Sequence, residues 1–410
     1  TEGLLAIGER VTFRHPLVRS AVYRSASLQE RSVVHQALAE VTDAQVDADR
    51  RAWHLAAVAT GPDEVVALEL ERSAGRAQAR GGLAAAAAFL QRSLALTRDR
   101  ARRTDRALAA AQASLQAGAF DAALRLLATA EAGSLDEFQN ARAELLRGQI
   151  AFASGGGSDA PPLLLKAAQR LERLDPELAR ETYLDAWGAA LFAGRLATAG
   201  SLLEVSRAAR SAPSPTGPPR PSDLLLDGLA TLITEGPTAA APMLRRATSV
   251  FAGNQVSAED SFRWGWLTTV PSTALWDDES WHTINARQLQ LARDAGALAR
   301  LPLDLTALAV NVTWRGDLAR AAEAIAEADA VTEATATRIA PYGAMMLAAF
   351  RGREAEASTL VESAIKDATA AGQGAGAPAT ETEVPIQVVR EGTGFRVLGD
   401  RPLRWVAMTD

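Results

Sequence analysis

The stretch "QAGAFDAALRLLATAEAG", residues 116–133, decides the fold of this 410-residue chain. Gly118 predicts the end of one helix, because glycine adopts the left-handed backbone conformation that closes a helix at little cost. The alanine-rich run that follows, with a leucine about eight residues on, predicts a second helix that packs closely against the first. Residues 116–133 therefore indicate a helical hairpin.

The same pattern of a glycine, a short alanine-rich helix and a leucine recurs with a period of about 36–42 residues. Copies begin at Gly82, Gly118, Gly194, Gly236, Gly316 and Gly352, the copy at Gly316 with a one-residue offset. Two gaps between copies are about twice as long as the others. A degenerate copy stands in each long gap: "GGSDAPPLL" from Gly156 and "DESWHTINA" from Asp278.

Such helix pairs must stack, because each pair leaves an apolar face that only a neighbouring pair can cover. We therefore predict an all-α fold, a superhelix of helical repeats similar to tetratricopeptide (TPR) repeats. Bulky side chains stand two residues before several repeat glycines, at Phe192, Trp314 and Phe350. We expect them to fill the gap between the two helices of one pair.

The N-terminal residues 1–45 differ in character from the repeats. Two short apolar runs on either side of Gly8 predict a pair of strands, and Pro16 is well placed in the first turn of a helix. Ser27 and Glu30 have the spacing of a capping box at the start of the next helix. This segment is expected to be the end of a domain, followed by helical repeats over residues 46–372.

Three further segments interrupt or follow the repeats. Residues 211–223, "SAPSPTGPPRPSD", are too rich in proline for a helix and predict a surface loop or a joint between two halves of the array. Residues 373–383 are rich in Gly, Ala and Thr and predict a linker. Residues 384–410 alternate apolar runs with turns, which predicts a β-rich tail with a hairpin and a third strand.

Composition excludes several classes of function. The net charge of −6 and the pI of about 5.5 do not favour direct binding of nucleic acid. There is no cysteine, and the four histidines lack the spacing of a metal site. No apolar run approaches the roughly 20 residues that span a bilayer. We expect a cytoplasmic protein without membrane segment, metal or cofactor, and the absence of a recognisable catalytic arrangement predicts no enzyme.

Tryptophans concentrate in residues 262–283, "FRWGWLTTVPSTALWDDESWHT". Indoles on the inner wall of a superhelix could stack on a small ligand. Trp264 and Trp266 point about 200° apart on a helix, so only one of them can face the groove. Arg263 and Trp266 are three apart and share a face, so we expect Trp266 in the groove and Trp264 in the core. The candidate ligand-binding residues are Arg263, Trp266, Asp277, Trp281 and His282. The alternative is that the tryptophans simply fill the core of an alanine-rich array.

Long stretches resemble one family of regulators. "RVTFRHPLVRSAVYRSASLQERSVVHQALAEVTD" (10–43), with "QAGAFDAALRLLATAEAG" and "PYGAMMLAAFRGREAEAS" further on, resembles the large actinobacterial LuxR-family regulators with an ATPase module, which are MalT-like. The likeness covers about residues 3–374. In that family a P-loop ATPase, a winged helix, a helical-repeat sensor and a DNA-binding helix-turn-helix follow one another.

The resemblance implies a role. Residues 1–45 would be a winged-helix remnant, and the repeats a signal-sensing and oligomerisation arm. The arm would bind a small-molecule inducer or a protein partner and work with the ATPase module of the parent regulator. His15 would be a remnant of nucleotide sensing; the alternative is that His15 and Pro16 only cap a helix. The chain contains no GxxxxGK[ST] motif of a P-loop ATPase. A homo-oligomer is compatible with the role of a sensing arm. The alternative function is a protein-interaction scaffold that binds no small ligand.

The tail has a different likeness. "VREGTGFRVLGDRPLRWVAMTD", residues 389–410, resembles the C-terminal domain of Obg-type GTPases. This resemblance implies an accessory module that recognises a partner, and it covers only about 25 residues.

Overall fold

The computed structural model describes residues 5–7, 11–155, 158–194, 199–215, 217–253, 255–298, 300–335, 340–370, 387–391 and 394–398. Helices account for most of these residues, and the chain divides into two compact units, residues 1–113 and 114–410. None of the helices described is both long and apolar enough to cross a bilayer.

The helices are numbered here in chain order. They are α1 (Pro16–Ser25), α2 (Leu28–Val41), α3 (Ala48–Val58), α4 (Glu64–Ala79), α5 (Leu83–Ala95), α6 (Arg100–Gln116), α7 (Phe120–Glu131), α8 (Glu137–Ala153), α9 (Ala160–Leu171), α10 (Pro176–Ala193), α11 (Leu202–Ser211), α12 (Pro221–Glu235), α13 (Pro237–Ala252), α14 (Ala258–Trp264), α15 (Thr269–Leu275), α16 (Asp278–Asp294), α17 (Leu301–Trp314), α18 (Leu318–Thr335), α19 (Tyr342–Phe350) and α20 (Glu354–Ala370). A 3₁₀ turn, Gly265–Thr268, joins α14 to α15. The strands are β1 (Leu5–Ile7), β2 (Val11–Phe13), β3 (Gln387–Glu391) and β4 (Gly394–Leu398).

Consecutive helices of the second unit pack as pairs, with α8 on α9, α10 on α11, α12 on α13, α17 on α18 and α19 on α20. The second helix of a pair also packs on the first helix of the next, as α9 does on α10 and α11 on α12. This stacking is that of an all-α helical-repeat protein. In the first unit, α2, α3, α4 and α5 pack on one another in chain order.

Glycines in the left-handed conformation close the first helix of most pairs. Gly118, Gly194, Gly236, Gly316 and Gly352 all have positive φ, between 50° and 88°. The pattern of repeats in the sequence marked these positions, because a helix end that needs positive φ selects glycine locally.

Three copies of the repeat differ from the prediction in detail. The glycine with positive φ before α5 is Gly81, with φ 75°, and Gly82 instead is the residue preceding the helix, with φ −81°. Gly155 closes α8 with φ 90°. Before the degenerate copy at Asp278, Trp276 takes the left-handed position with φ 56°.

A second set of glycines lies inside the first helices, at Gly148 of α8, Gly188 of α10 and Gly228 of α12, every 40 residues. A Cβ atom on Gly148 would stand 2.7 Å from Leu164, and one on Gly228 would stand 2.7 Å from Leu244. The two helices of a pair therefore approach too closely for any larger residue. The spacing of these glycines was visible in the sequence, although we read only the turn glycines there.

The bulky residues before the repeat glycines do not fill the gap within a pair, so that expectation was wrong. Trp314 of α17 and Phe350 of α19 are 37% and 44% exposed, and their ring centroids lie 5.5 Å apart across neighbouring pairs. Phe192 packs on Phe152 of the preceding pair. These rings at the ends of the first helices contact one another between pairs.

The N-terminal segment contains a strand pair and two helices. β1 and β2 are antiparallel, with Leu5 opposite Phe13 and Ile7 opposite Val11, while the expected turn at Gly8 lies outside the described residues. Before α2, the Ser27 hydroxyl accepts from the backbone N–H of Glu30, whose side chain accepts from the N–H of Ser27 at 2.8 Å. The winged-helix assignment stays a prediction.

The remaining segments are described in part. The proline-rich segment is a connection between α11 and α12, and its last three residues already form the first turn of α12, where proline is tolerated. In the tail, β3 and β4 are antiparallel, with Gln387 opposite Leu398. The linker 373–383 and the expected third strand at 403–408 lie outside the described residues, so the β-rich tail as a domain stays a prediction.

Candidate functional site

The candidate ligand-binding residues fall into two groups. Arg263 closes α14 and Trp266 lies in the 3₁₀ turn, whereas Asp277, Trp281 and His282 lie at the start of α16. The two groups have different partners, and each is described in turn.

Arg263 is held by two carboxylates of α10. Its Nη1 donates to Glu181 Oε2 at 2.5 Å, and its Nη2 donates to Asp185 Oδ2 at 3.2 Å. The guanidinium also lies 4.3 Å from the ring centroid of Trp264. A ligand that needed this cation would have to break both ion pairs.

Asp185 is the second of these acids and is mostly buried. Burial raises the pKa of its carboxyl group, and this outweighs the opposing effects of Arg263 and of the amide of Gln149, which donates at 2.7 Å. Its neighbours thus compensate only part of the cost of desolvating the charge.

Trp266 packs against protein on several sides. Its ring centroid lies 5.8 Å from that of Phe192 and 6.3 Å from that of Phe152. The tip of the indole also lies over Gly188 of α10, close enough that a Cβ there would stand 2.9 Å away. The side chain of Trp266 is half-buried. Its ring contacts residues of α8 and α10, and thus connects neighbouring helix pairs.

The other two central indoles are core residues. Trp264 is 1% exposed, as its helical position predicted, and Trp281 is 6% exposed. The indole Nε1 atoms of both are buried and have no hydrogen-bond partner within the described part of the chain. Trp281 is therefore a poor candidate for stacking on a ligand that enters from solvent.

Asp277 and His282 stabilise the start of α16 and its contact with α17. Asp277 accepts from the N–H of Ser280 at 3.1 Å and thereby caps the helix. His282 Nδ1 lies 2.8 Å from the side-chain oxygen of Asn311 on α17, whose amide nitrogen donates to Asp278 at 3.3 Å. These contacts connect α16 to the next helix pair, and ligand binding by the two residues stays a prediction.

Cavities of about 320 Å³ and about 170 Å³ lie elsewhere in the second unit. The first is lined by Glu131, Asn140, Glu144 and Arg147 among others, and the second lies between α18, α19 and α20. Neither is lined by a candidate ligand-binding residue, and the described residues contain no group of three or more potential metal ligands.

The structure adds a charge network that the sequence reasoning missed. Glu177, Glu181 and Asp185 are four residues apart and form one stripe of α10. Beside this stripe, Arg180 donates to Asp223 and to Asp227 of α12, each at 2.6 Å. The i, i+4 spacing of the acids was a usable signal, but only the folded chain shows which arginines face them.

Residue His15 caps α1, because its Nδ1 accepts from the N–H of Leu17 at 3.2 Å. The capping alternative is thus present in the structure, and the role in nucleotide sensing stays a prediction.

An exposed apolar area in the described residues lies on α1 and α2. We call it the α1–α2 surface, and it consists of Leu17, Val22, Tyr23, Leu28, Val33, Val34, Leu38 and Val41. Leu17 is 71% exposed and Leu28 is 80% exposed. Ala39 is the one residue of α2 that is buried, so these helices have apolar side chains without a core to receive them.

A second, smaller apolar area is a row of rings at the ends of first helices. We call it the aromatic row, and it consists of Trp276, Trp314 and Phe350. Trp276 is 70% exposed and meets Trp314 edge to face, with ring centroids 6.3 Å apart.

Comparison with known proteins gives matches only among solved structures. No family model and no curated protein matches the chain. Among solved structures, a Signal Transduction ATPase with Numerous Domains (STAND) protein with a tetratricopeptide repeat sensor, from Pyrococcus horikoshii, is 14% identical at a TM-score of 0.36. A circular tandem repeat protein is 15% identical at a TM-score of 0.16.

The aligned region covers 90% of this chain and 57% of the STAND protein, and 84% and 83% of the two chains for the repeat protein. Because the TM-scores are low, neither likeness defines this fold. The class of the protein follows from its own stacked helix pairs, which make it an all-α helical-repeat protein.

Proposed function

We propose that this chain is the signal-sensing and oligomerisation arm of a LuxR-family, MalT-like transcriptional regulator, and that it works in the cytoplasm by binding a protein partner. The α1–α2 surface is the observation that supports the proposal best. Burying one large aliphatic side chain stabilises a complex by about 1.5–3 kcal/mol before the costs of association. Seven aliphatic side chains and Tyr23, exposed on two neighbouring helices, therefore favour a protein partner.

Charge suggests what the partner presents. Arg19 and Arg24 of α1, and Arg14 just before this helix, are exposed. A partner with an apolar centre and an acidic rim would complement this arrangement. We assign this role to the ATPase module of the parent regulator.

The same geometry makes a small-molecule inducer the less favoured ligand. Both ion pairs of Arg263 are internal, and Trp266 is packed against Phe152 and Phe192. One observation still favours an inducer: the buried Nε1 atoms of Trp264 and Trp281 have no partner in the described residues. A thermal-shift screen of metabolites distinguishes the two, because a ligand of the folded state raises the melting temperature.

The decisive experiment begins with the gene. The DNA on either side of the segment encoding residues 1–410 should encode a P-loop ATPase upstream and a helix-turn-helix downstream. An open reading frame with neither would overturn the assignment and leave the alternative, a plain interaction scaffold whose Obg-like tail recognises a partner. No catalytic activity is proposed for the chain itself.

Binding to that ATPase module can then be measured directly. Calorimetry with the separate module should show binding that Leu17→Asp weakens at least tenfold. Leu124→Asp is the matched control, because Leu124 is 45% exposed on α7, outside the α1–α2 surface. Equal affinity of both variants and the unaltered chain would show that the partner does not use this surface.

A further inference from the structure

Three aromatic rings form a hydrogen-bonded chain that joins α1, α2 and α3. The hydroxyl of Tyr23 on α1 lies 3.0 Å from His35 Nε2, and His35 Nδ1 on α2 lies 2.9 Å from His54 Nδ1 on α3. The imidazole centroids are 5.1 Å apart. Tyr23 thus joins α1 to α2, and the imidazole contact joins α2 to α3, on which α2 also packs.

The Nδ1–Nδ1 contact depends on protonation. Two neutral imidazoles, or one neutral and one charged, can share a hydrogen, since one Nδ1 donates and the other accepts. When both rings are imidazolium, two N–H groups and two positive charges face each other at this distance. The hydrogen bond is then lost, and the Coulomb energy opposes the contact.

The charges around the pair increase this effect. Arg50 of α3 adds positive charge near His54, and Asp47 at the start of α3 opposes it. Burial, then His35, then Arg50 hold the pKa of His54 below its ordinary value. On α2, Arg31 stacks on the Tyr23 ring at 5.2 Å. On α4, which also packs on α3, Arg76 pairs with Asp49 at 2.7 Å.

We propose that the His35–His54 pair is a proton-sensitive contact that holds α1 and α2 on α3 at neutral pH and releases them when both rings become charged. The released helices would carry the α1–α2 surface with them. Acidification would thus change how this surface is presented, whatever partner binds it, so the inference does not depend on the function proposed above.

Hydrogen–deuterium exchange of the full chain at pH 7.5 and pH 5.0, corrected for intrinsic rates, tests this. The protection factors of peptides within residues 16–41 should fall about tenfold at pH 5.0. A factor of ten corresponds to a change of one pKa unit in the interaction between the two rings. Peptides from α8 and α10 are the internal reference. His54→Asn keeps a polar atom near the Nδ1 position but cannot titrate, and its protection should be independent of pH.

His282→Asn is the control variant, because it removes an imidazole from the second unit, and it should behave like the unaltered chain. An equal loss of protection in His54→Asn, or no loss in the unaltered chain, would contradict the proposal. Proton NMR of the imidazoles gives a second readout that needs no variant. The pKa of the His54 imidazole should lie below its ordinary value, and an ordinary pKa for His54 would also refute the proposal.

Discussion

The indole of Trp266 lies directly over Gly188, with its outermost atom 2.9 Å from the position that a Cβ on residue 188 would take. The two residues are on α10 and on the 3₁₀ turn after α14, which belong to different helix pairs. A missing side chain on one helix thus makes room for the largest side chain on another, and this contact helps bring Arg263 to the acids of α10.

The first prediction concerns this contact. Gly188→Ala should destabilise the second unit by about 1–3 kcal/mol, because a methyl group would displace Trp266 from a packed site. Gly75→Ala is the matched control, since Gly75 is also helical and a Cβ there would meet nothing within 4 Å. It should stabilise by up to about 1 kcal/mol through helix propensity alone. Urea unfolding measures both, and stabilisation by Gly188→Ala would contradict the packing described.

The second prediction concerns the buried ion pair between α10 and α12. The side chains of Arg180 and Asp223 are 5% and 1% exposed. Arg180→Ala should cost about 3 kcal/mol, because it leaves Asp223 buried with less compensating charge. Arg315→Ala, which breaks an exposed pair with Asp278, should cost less than about 1 kcal/mol. Similar losses for the two variants in chemical denaturation would show that burial does not control these pairs.

The third prediction is a pH dependence in the first unit. Hydrogen bonds from Arg106, then from Arg102, lower the pKa of Glu64 to about 2. Because the folded pKa lies below the unfolded one, the stabilisation is complete above about pH 4.5 and is lost as the pH falls towards 2.

Carboxyl NMR checks this value for Glu64. Arg106→Ala should raise its pKa towards the ordinary 4.5, and Glu64→Gln should reduce the acid sensitivity of the first unit. A pKa near 4.5 in the unaltered chain would mean that the arginines do not hold this carboxylate in solution.

The fourth prediction separates two neighbouring indoles. Trp264→Ala should cost about 3–5 kcal/mol, because the ring is fully enclosed and its removal leaves a cavity. Trp266→Ala should cost less, since that ring is half-buried. Unfolding in denaturant measures the loss of stability in each variant. A larger loss for Trp266→Ala would show that Trp266, and not Trp264, is the core residue of this segment.

The fifth prediction uses the left-handed backbone of Trp276, which has φ 56° and ψ 33°. Trp276→Gly and Trp276→Ala both remove the ring, but Gly should be the more stable by about 1 kcal/mol, because alanine is strained at positive φ. At Trp314, which ends α17, the order should be the opposite, since alanine favours a helix. The melting temperatures of the four variants test this prediction. If glycine and alanine had the same order of stability at both sites, strain at positive φ would not explain the difference at residue 276.

The sequence by itself determined the class of fold. Turn glycines such as Gly118 and Gly316 and the alanine-rich runs after them predicted helix pairs in series, because helix ends and helix faces depend on residues close in the chain. The same local logic predicted the capping box at Ser27 and the burial of Trp264.

The neighbours of the candidate residues became visible only in the tertiary structure. Arg263 was proposed for a ligand, but it pairs with Glu181, 82 positions away in the chain. Trp281 was proposed for a groove and lies in the core. Such contacts depend on how several helix pairs stack in three dimensions. The local pattern of one helix specifies which of its faces is apolar, but the distant side chains that meet that face are set by the packing of all the pairs together.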